Sequence, residues 1–263
     1  MRIMMLNQAP KQTKGDAPHY QSARIEELLN GYASPGTKIE LDFPDDFEGA
    51  QVFKTIGAQN MLNGLHHIME APAIIKKIVW AADNGYDAVI QSNTFDPGVE
   101  GGRLAVGIPV IGLFQTALHV GATIADKIGV IVPLDSHLPY TWRKIRAYGM
   151  GNFVTDIQAI GIYGEKVQEQ KEEIFDTTVG LIRNLVEETG AECVLPLGGA
   201  LIPYIVDPAD LAEASGVQVL NTKSIGIRFT EMCVDLGLTQ SPITYPKAKI
   251  SYEDFTRKAE QAS

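Results

Sequence analysis

Two stretches of this chain follow the same pattern, which indicates an internal duplication. Residues 84–94 and 189–199 each contain the end of a polar helix, a glycine stop, an acidic residue, an apolar strand and a turn of small residues. The two glycines, Gly85 and Gly190, are 105 positions apart. A second pair of segments, 107–112 and 216–221, repeats a strand that leads into a helix. The pattern predicts two similar lobes with an active-site cleft between their equivalent strand ends.

Short apolar runs alternate with amphipathic stretches along the chain, and this alternation is typical of βαβ units with mostly parallel sheets. The predicted strands are 3–7, 38–43, 88–92, 109–114, 128–133, 157–162, 193–197 and 217–221. The predicted helices are 19–31, 71–84, 115–125, 136–148, 165–189 and 222–236. The fold class is therefore α/β, with two Rossmann-like lobes related by a pseudo-twofold. We expect residues 1–113 plus 223–263 to form the first lobe and residues 114–222 the second, with chain crossings near 112–116 and 221–225.

Two segments fall outside this alternation. Residues 44–70 are acidic at first and then contain glycine and asparagine, which predicts a loop that covers the cleft. The tail after Ser241 contains Pro242 and Pro246, which predicts a surface strap with a short final helix.

The amino-acid composition limits which binding partners and which cellular compartment we expect. The chain has 263 residues, a net charge of −10 and no basic cluster, so nucleic acid and anionic membranes are not expected partners. No apolar run approaches the roughly 18 residues of a membrane span, and the start of the chain reads as a first strand instead of a signal peptide. Two cysteines do not indicate a disulfide framework, so a cytoplasmic protein is expected. A homo-oligomer is possible.

The carboxyl ends of the predicted strands are rich in Asn, Ser, Thr and Gly, and helices follow them directly. Open α/β sheets bind ligands at this edge, where free backbone N–H groups and helix dipoles attract anions. The segments concerned are 7–10, 92–98, 114–116, 133–137, 197–200 and 221–224. The residues alone thus predict a small anionic or polar ligand between two lobes.

A set of motifs occurs in a characteristic order and spacing through most of residues 1–8 and 70–240. The motifs are 87–90, 96–100, 107–112, His119, 129–131 with 134–135, 159–161, 191–198 and 236–239. Together they resemble the aspartate/glutamate/hydantoin racemase superfamily, closest to its hydantoin racemase branch.

The resemblance implies a mechanism whose central residues are missing. Such racemases use one cysteine from each lobe, one as thiolate base and the other as thiol acid, and the ordinary cysteine pKa of about 8.5 falls readily at a helix N-terminus. The first position falls here at Ser92 or Asn93, and the second at Gly198 or Gly199, most naturally Gly199. Cys193 lies six residues upstream of Gly199 and is expected to pack in the core.

Without thiols the receptor for a small substrate remains, and three functions stay open. The first is a cofactor-independent enzyme that hydrolyses or cleaves a small carboxylate, amide or cyclic ureide, which needs a single base. The second is a racemase or isomerase with a rearranged acid–base pair. The third is a non-catalytic protein that binds a small ligand. A metal-dependent hydrolase ranks below these, because His66 and Glu70 share a helix face without any ligand-spacing motif.

Histidine is the usual general base near neutral pH, so histidines lead the catalytic candidates. His119 follows a strand that faces the cleft, and His66 and His67 lie in the segment that covers it; each also has a structural reading. Ser92 is either a nucleophile or, by preference, a hydrogen-bond donor. The catalytic candidates are His119, Ser92, His66 and His67. The predicted substrate-binding residues are Asn7, Gln8, Asn93, Thr94, Asp96, Gly198, Gly199, Ala200, Thr116, Thr222 and His137.

For several further residues the sequence allows two interpretations. Lys223 and Arg228 either hold a carboxylate or are solvated helix charges. Asp96 caps the turn before Pro97 unless that turn points it inward. Asp135 is expected to cap the next helix and leave Ser136 near the cleft mouth. Glu100 reads as an acid in the first turn of a helix, and Tyr20 and Tyr140 as lid or surface residues.

Overall fold

The computed structural model describes residues 1–10, 22–46, 48–164 and 167–256. It contains eight strands and ten α-helices within these ranges. The strands are β1 (Arg2–Leu6), β2 (Lys38–Asp42), β3 (Ala88–Gln91), β4 (Val110–Gly112), β5 (Ile128–Val132), β6 (Val154–Ala159), β7 (Cys193–Pro196) and β8 (Gln218–Val219). The helices are α1 (Ser22–Tyr32), α2 (Glu48–Gly57), α3 (Leu65–Asp83), α4 (Val99–Ala105), α5 (Leu113–Gly121), α6 (Leu138–Ala147), α7 (Lys171–Thr189), α8 (Pro208–Ser215), α9 (Thr222–Asp235) and α10 (Tyr252–Thr256).

The strands form two parallel four-stranded sheets with equivalent topology. The order is β2-β1-β3-β4 in the first sheet and β6-β5-β7-β8 in the second. The duplicated sequence segments supply β3 and β7, which occupy the same place in the two sheets. The predicted α/β architecture is thus confirmed.

Helices cover both faces of a parallel sheet, so its central strands are buried on both sides. Every residue of β5 is buried, and Ile3 to Leu6 of β1 are completely so. In the edge strand β6 only Val154 and Ile157 are buried, and the other residues are half-buried. It begins and ends three residues before the predicted run 157–162, because its polar residues hide it from a search for apolar runs.

The chain changes sheets at two points. Leu113 packs in the core with Ile3 and Ile90 of the first sheet, whereas the next residue, Phe114, packs with the core of the second. Leu220 belongs to the second core, and Ile227 of α9 returns to the first. The division into lobes with the boundaries given above stays a prediction.

The segment 44–70 was predicted as a loop, and this prediction is wrong. It contains all of α2 and the first turns of α3, with residue 47 outside the described ranges. Helix α7 begins at Lys171, later than predicted, and α10 is the short final helix that the tail predicts. Residues 19–21 of the first predicted helix, and therefore His19 and Tyr20, lie outside the described residues. None of the helices that the structure describes is long and apolar enough to cross a membrane.

Candidate active site

A small cavity of about 50 Å³ lies where the carboxyl ends of the two sheets meet. Residues that follow β1, β3, β5 and β7 contribute to its walls, and residues 62–67 contribute from the other side. The lining residues are Asn7, Gln8, Leu62, His66, His67, Ser92, Asn93, Phe95, Pro133, His137, Tyr163, Gly198, Gly199, Ala200, Tyr204 and Lys223. Most of the predicted site residues therefore come together in one place.

The turn after β3 is held by its own side chains. The Oδ1 atom of Asn93 accepts a hydrogen bond from the Phe95 N–H at 2.8 Å, and the Asn93 N–H donates to Oε1 of Gln91. Ser92 is anchored through its N–H, which donates to the Leu6 carbonyl at 2.7 Å. These bonds leave the buried Ser92 side chain at the cavity wall in a fixed backbone frame.

The two duplicated turns are bonded directly to each other. The Gly198 N–H donates to the hydroxyl oxygen of Thr94 at 2.6 Å. Gly198 has a φ of 87°, and a Cβ there would lie 2.3 Å from Cγ of Pro133, so no larger residue fits. Thr94 therefore shapes the second turn instead of reaching into the cavity.

Lys223 places a completely buried amino group at this site. It lies in the first turn of α9, whose N-cap is Asn221, and its Nζ donates to the Ser92 carbonyl. Nζ also lies 5.3 Å from the ring centroid of Tyr204. The reading of Lys223 as a solvated helix charge is wrong. A signal was present in the sequence, because a cation is unfavourable at a helix N-terminus and needs a specific partner.

Three buried histidines form another part of the wall. His66 and His67, at the start of α3, have ring centroids 3.8 Å apart, and His137 stacks on Phe95 at 5.1 Å. His137 follows β5 in a short 3-10 turn, Asp135–His137. Sequence reasoning placed all three at the cleft, but it missed the aromatic support from Phe95, which packs against both His67 and His137.

Burial keeps two of these imidazoles neutral at neutral pH. Desolvation lowers the pKa of His67 well below its ordinary range, and the nearby His66, His137 and Lys144 lower it further. Desolvation lowers the pKa of His137 to about 4, against a smaller opposing effect of the Leu134 backbone. Neither ring nitrogen of His67 has a hydrogen-bond partner within the described chain, although its Nδ1 lies 4.0 Å from the Glu70 carboxylate. A neutral imidazole in this setting can accept a proton.

His119 does not belong to this site. It lies on the exposed face of α5, where its Nδ1 is 2.8 Å from the Gln115 carbonyl of the same helix. Its helical position one turn after β4 suggested the cleft, but the helix turns this residue toward solvent. The prediction of His119 as the base is therefore corrected in favour of the buried histidines.

Asp96 has a structural position instead of a place at the cavity. Its carboxylate accepts hydrogen bonds from the N–H groups of Phe114 and Gln115 at 2.9 Å each, and from the Tyr148 hydroxyl at 2.8 Å. It thereby satisfies free N–H groups at the start of α5. Burial, and then the charge of Asp96, raises the pKa of Tyr148 above its usual range. The prediction that Asp96 binds substrate is not supported by this geometry.

The structure also gives the positions of the other candidate residues. Thr116 and Thr222 are buried and are not among the residues that line the cavity. Arg228 bonds Ser34 and Glu231 away from the site. Asp135 makes no side-chain cap, and Ser136 donates to the Asn60 carbonyl at 3.2 Å. Glu100 lies in the first turn of α4 as expected.

Two more predictions concern Tyr140 and a metal. Tyr140 stacks on His67, and burial raises its pKa to about 12. In the described part of the chain, no three His, Cys, Asp or Glu side chains lie close enough to hold a metal ion.

Both cysteines lie in the cores. Cys193 packs beside β5, and Cys233 packs under the first sheet. Burial raises the pKa of Cys193 to about 11, with Glu192 adding to the effect, and burial also raises the pKa of Cys233. Neither thiol ionises readily at neutral pH or belongs to the cavity lining.

Residues 56–230 match the model of the family described as Asp/Glu/Hydantoin racemase, so the chain belongs to this family. A hydantoin racemase of Rhizobium meliloti is 26% identical over 71% of this chain and 77% of that protein. Allantoin racemase from Pseudomonas fluorescens has a similar structure, with a TM-score of 0.80, 22% identity, and coverage of 95% of this chain and 98% of that one. Arylmalonate decarboxylase shares the fold at a TM-score of 0.57, with 14% identity over 93% and 97% of the two chains. These relatives do not support a preference for hydrolysis or cleavage over racemisation.

Proposed function

We propose that this protein is a cofactor-independent enzyme that removes and returns the proton on a carbon next to a carbonyl group, in a small carboxylate or cyclic ureide. The observation that carries the proposal is a cavity lined by buried histidines together with the completely buried amino group of Lys223. The imidazoles supply a base and the ammonium supplies an acid. Family membership supports the same site and the same class of small substrate.

The chemistry begins with transfer of the α-proton to a neutral imidazole, of which His67 and His137 are the best candidates. The electron pair of the C–H bond moves onto the carbonyl oxygen and gives an enolate. A neighbouring ammonium and the Ser92 hydroxyl stabilise that oxygen in a site where burial strengthens electrostatic interactions. No thiol is required, because an imidazole and an amine can each carry a proton.

Racemisation or epimerisation is the leading outcome. It requires a proton carrier on each face of the enolate, and the cavity offers two kinds of carrier. The names of the relatives, hydantoin racemase and allantoin racemase, support this outcome and suggest five-membered cyclic ureides as substrates.

Cleavage is the second candidate. The fold similarity to arylmalonate decarboxylase favours it, since loss of carbon dioxide from a malonate also leaves a carbanion next to a carbonyl group. A single proton donor then completes the reaction, and the missing thiols present no obstacle.

The test is to incubate the protein with single enantiomers of allantoin and of 5-substituted hydantoins, and separately with malonates and small amides. Chiral chromatography follows the first group, and product detection follows the second. We expect the enantiomeric excess to fall faster than in protein-free buffer, without new products. New products without loss of enantiomeric excess would establish cleavage, and neither change would leave a binding role.

A further inference from the structure

Gly199 and Lys223 form a complementary pair at the cavity. The backbone of Gly199 lies outside the left-handed region, so its conformation suits any residue. A Cβ at this position would lie 3.0 Å from Nζ and 3.2 Å from Cε of Lys223. The end of the lysine side chain thus takes the space into which a side chain at position 199 would project.

Two features make the position of Lys223 unfavourable for a cation. Burying an ammonium group costs several kcal/mol before its partners compensate, and the N-terminal turn of a helix repels a cation. Helix α9 does not need this lysine to begin, because Asn221 accepts hydrogen bonds from the N–H groups of Lys223 and Ser224 at 3.1 Å each. The Nζ atom lies between the two duplicated turns, bonded to Ser92 on one side and next to Gly199 on the other.

We propose that Lys223 is a catalytic residue that carries the proton on the Gly199 side of the cavity. This inference rests on the proposed function. In the step it performs, one N–H bond of the ammonium breaks and a C–H bond forms at the enolate carbon, while the lysine keeps the electron pair as a neutral amine. Solvent exchange returns the proton from the imidazolium to the amine. The resemblance assigns the second thiol to position 199, and Lys223 replaces it there from a different element.

The same geometry defines the class of substrate. A buried ammonium group at the cavity wall favours a ligand that is anionic or that becomes anionic at a carbonyl oxygen. Carboxylates and the enolates of cyclic ureides meet this condition, whereas neutral ligands without an acidic carbon do not.

The decisive variant is Lys223→Met, which keeps most of the apolar stem and removes Nζ. We expect kcat for racemisation to fall at least about 100-fold, the usual effect of losing a general acid. The matched control is Lys77→Met, which removes another buried lysine that pairs with Asp42 and lies outside the cavity. This control should keep its kcat within about twofold of wild type.

Two further measurements keep the test decisive if Lys223→Met folds poorly. Added ethylamine should partly restore racemisation in Lys223→Ala, which a damaged fold would not allow. Gly199→Ala should lower the melting temperature by about 5 °C in the wild type and by clearly less in the Lys223→Met background, because Nζ is the atom nearest to the new methyl group.

The outcomes separate the two proposals. An active wild type whose Lys223→Met variant keeps a third or more of kcat would overturn the role of Lys223 and leave the proposed function in place. A wild type that exchanges no α-proton with any member of the substrate panel would overturn the proposed function, and the catalytic role of Lys223 with it.

Discussion

At the scale of single residues, burial decides which side chains can do chemistry. His67 and His137 are almost completely removed from water, while His119 on α5 is exposed. A buried imidazole stays neutral because its charged form loses hydration. The protein therefore holds proton acceptors at the cavity, at the cost of a structure that becomes less stable when they are forced to take up protons.

Acid should destabilise the protein through His137. In the unfolded chain this residue binds a proton near its ordinary pKa of about 6.5, whereas in the folded protein its pKa is lowered to about 4. Between these values the unfolded state binds more protons, so stability is full above about pH 6.5 and falls as the pH decreases toward 4. We expect this residue to contribute a loss on the order of 2–3 kcal/mol in the free energy of unfolding between pH 7.5 and pH 4.

Urea unfolding of the wild type and of His137→Phe at several pH values measures this contribution. Phenylalanine preserves the stacking on Phe95 and does not titrate, so the variant should lose less stability on acidification. His119→Gln is the control, and its pH dependence should match that of the wild type. Equal losses in wild type and His137→Phe would show that His137 is not held neutral by burial.

At the scale of elements, the site is formed by turns that are hydrogen-bonded to one another and to neighbouring helices. The turn after β3 binds the turn after β7 through Thr94 and Gly198, and Asp96 of the same first turn fixes the start of α5. Helix α9 then inserts Lys223 beside both turns. The positions of Ser92 and Gly199 at the cavity thus depend on contacts made by their neighbours.

We expect Thr94→Val to lower the activity more than the stability of the protein. The substitution keeps the shape of the side chain but removes the acceptor for the Gly198 N–H, which should cost about 1–2 kcal/mol of stability. Because misplacement of a catalytic turn lowers rates steeply, we expect a loss of about 10-fold or more in kcat.

The control for this variant is Thr178→Val. It also removes a buried threonine hydroxyl, one that donates to the Ile174 carbonyl inside α7 and lies far from the cavity lining. Stability should fall in both variants, while activity should fall only in Thr94→Val. Equal activity in the two variants would contradict a role for the link between the turns.

The sequence predicted the elements well because its signals were local. Apolar runs overlapped all eight strands, with the edge strand β6 placed three residues too late because of its polar residues, and the duplication located the cavity. Helices α2 and α8 were missed, and both are short. Side-chain direction was harder to predict. His119 and Asp96 follow strands as site residues do, and only tertiary packing turns one toward solvent and the other toward the backbone of α5.

Lys223 shows a second limit of sequence reasoning. Its charge and helical position fit an exposed residue, and its burial depends on Ser92, Tyr204 and Gly199, which are distant in the chain. A lysine in the first turn of a helix was the available warning, because a cation is unfavourable there. The absence of a side chain at position 199 and the presence of a lysine at position 223 can be connected only in the folded structure, where the two residues are adjacent.

At the scale of the whole molecule, two equivalent sheets face one small cavity, and the segment with α2 and the start of α3 closes it from outside. A volume of about 50 Å³ is far below the 300 Å³ or more of typical ligand pockets. We therefore expect a small substrate and an outward shift of the wall that carries Leu62, His66 and His67 when it binds. The family to which the protein belongs includes enzymes named as racemases of small molecules.

The central claim is that this cavity forms an enolate by taking an α-proton, and proton NMR in D₂O tests it most directly. The protein is incubated with allantoin, hydantoins, amino acids and malonates, and protein-free samples give the background exchange. We predict that the α-proton signal of at least one substrate decays faster with the protein than without it. Signals that decay at the background rate for every substrate would contradict the claim.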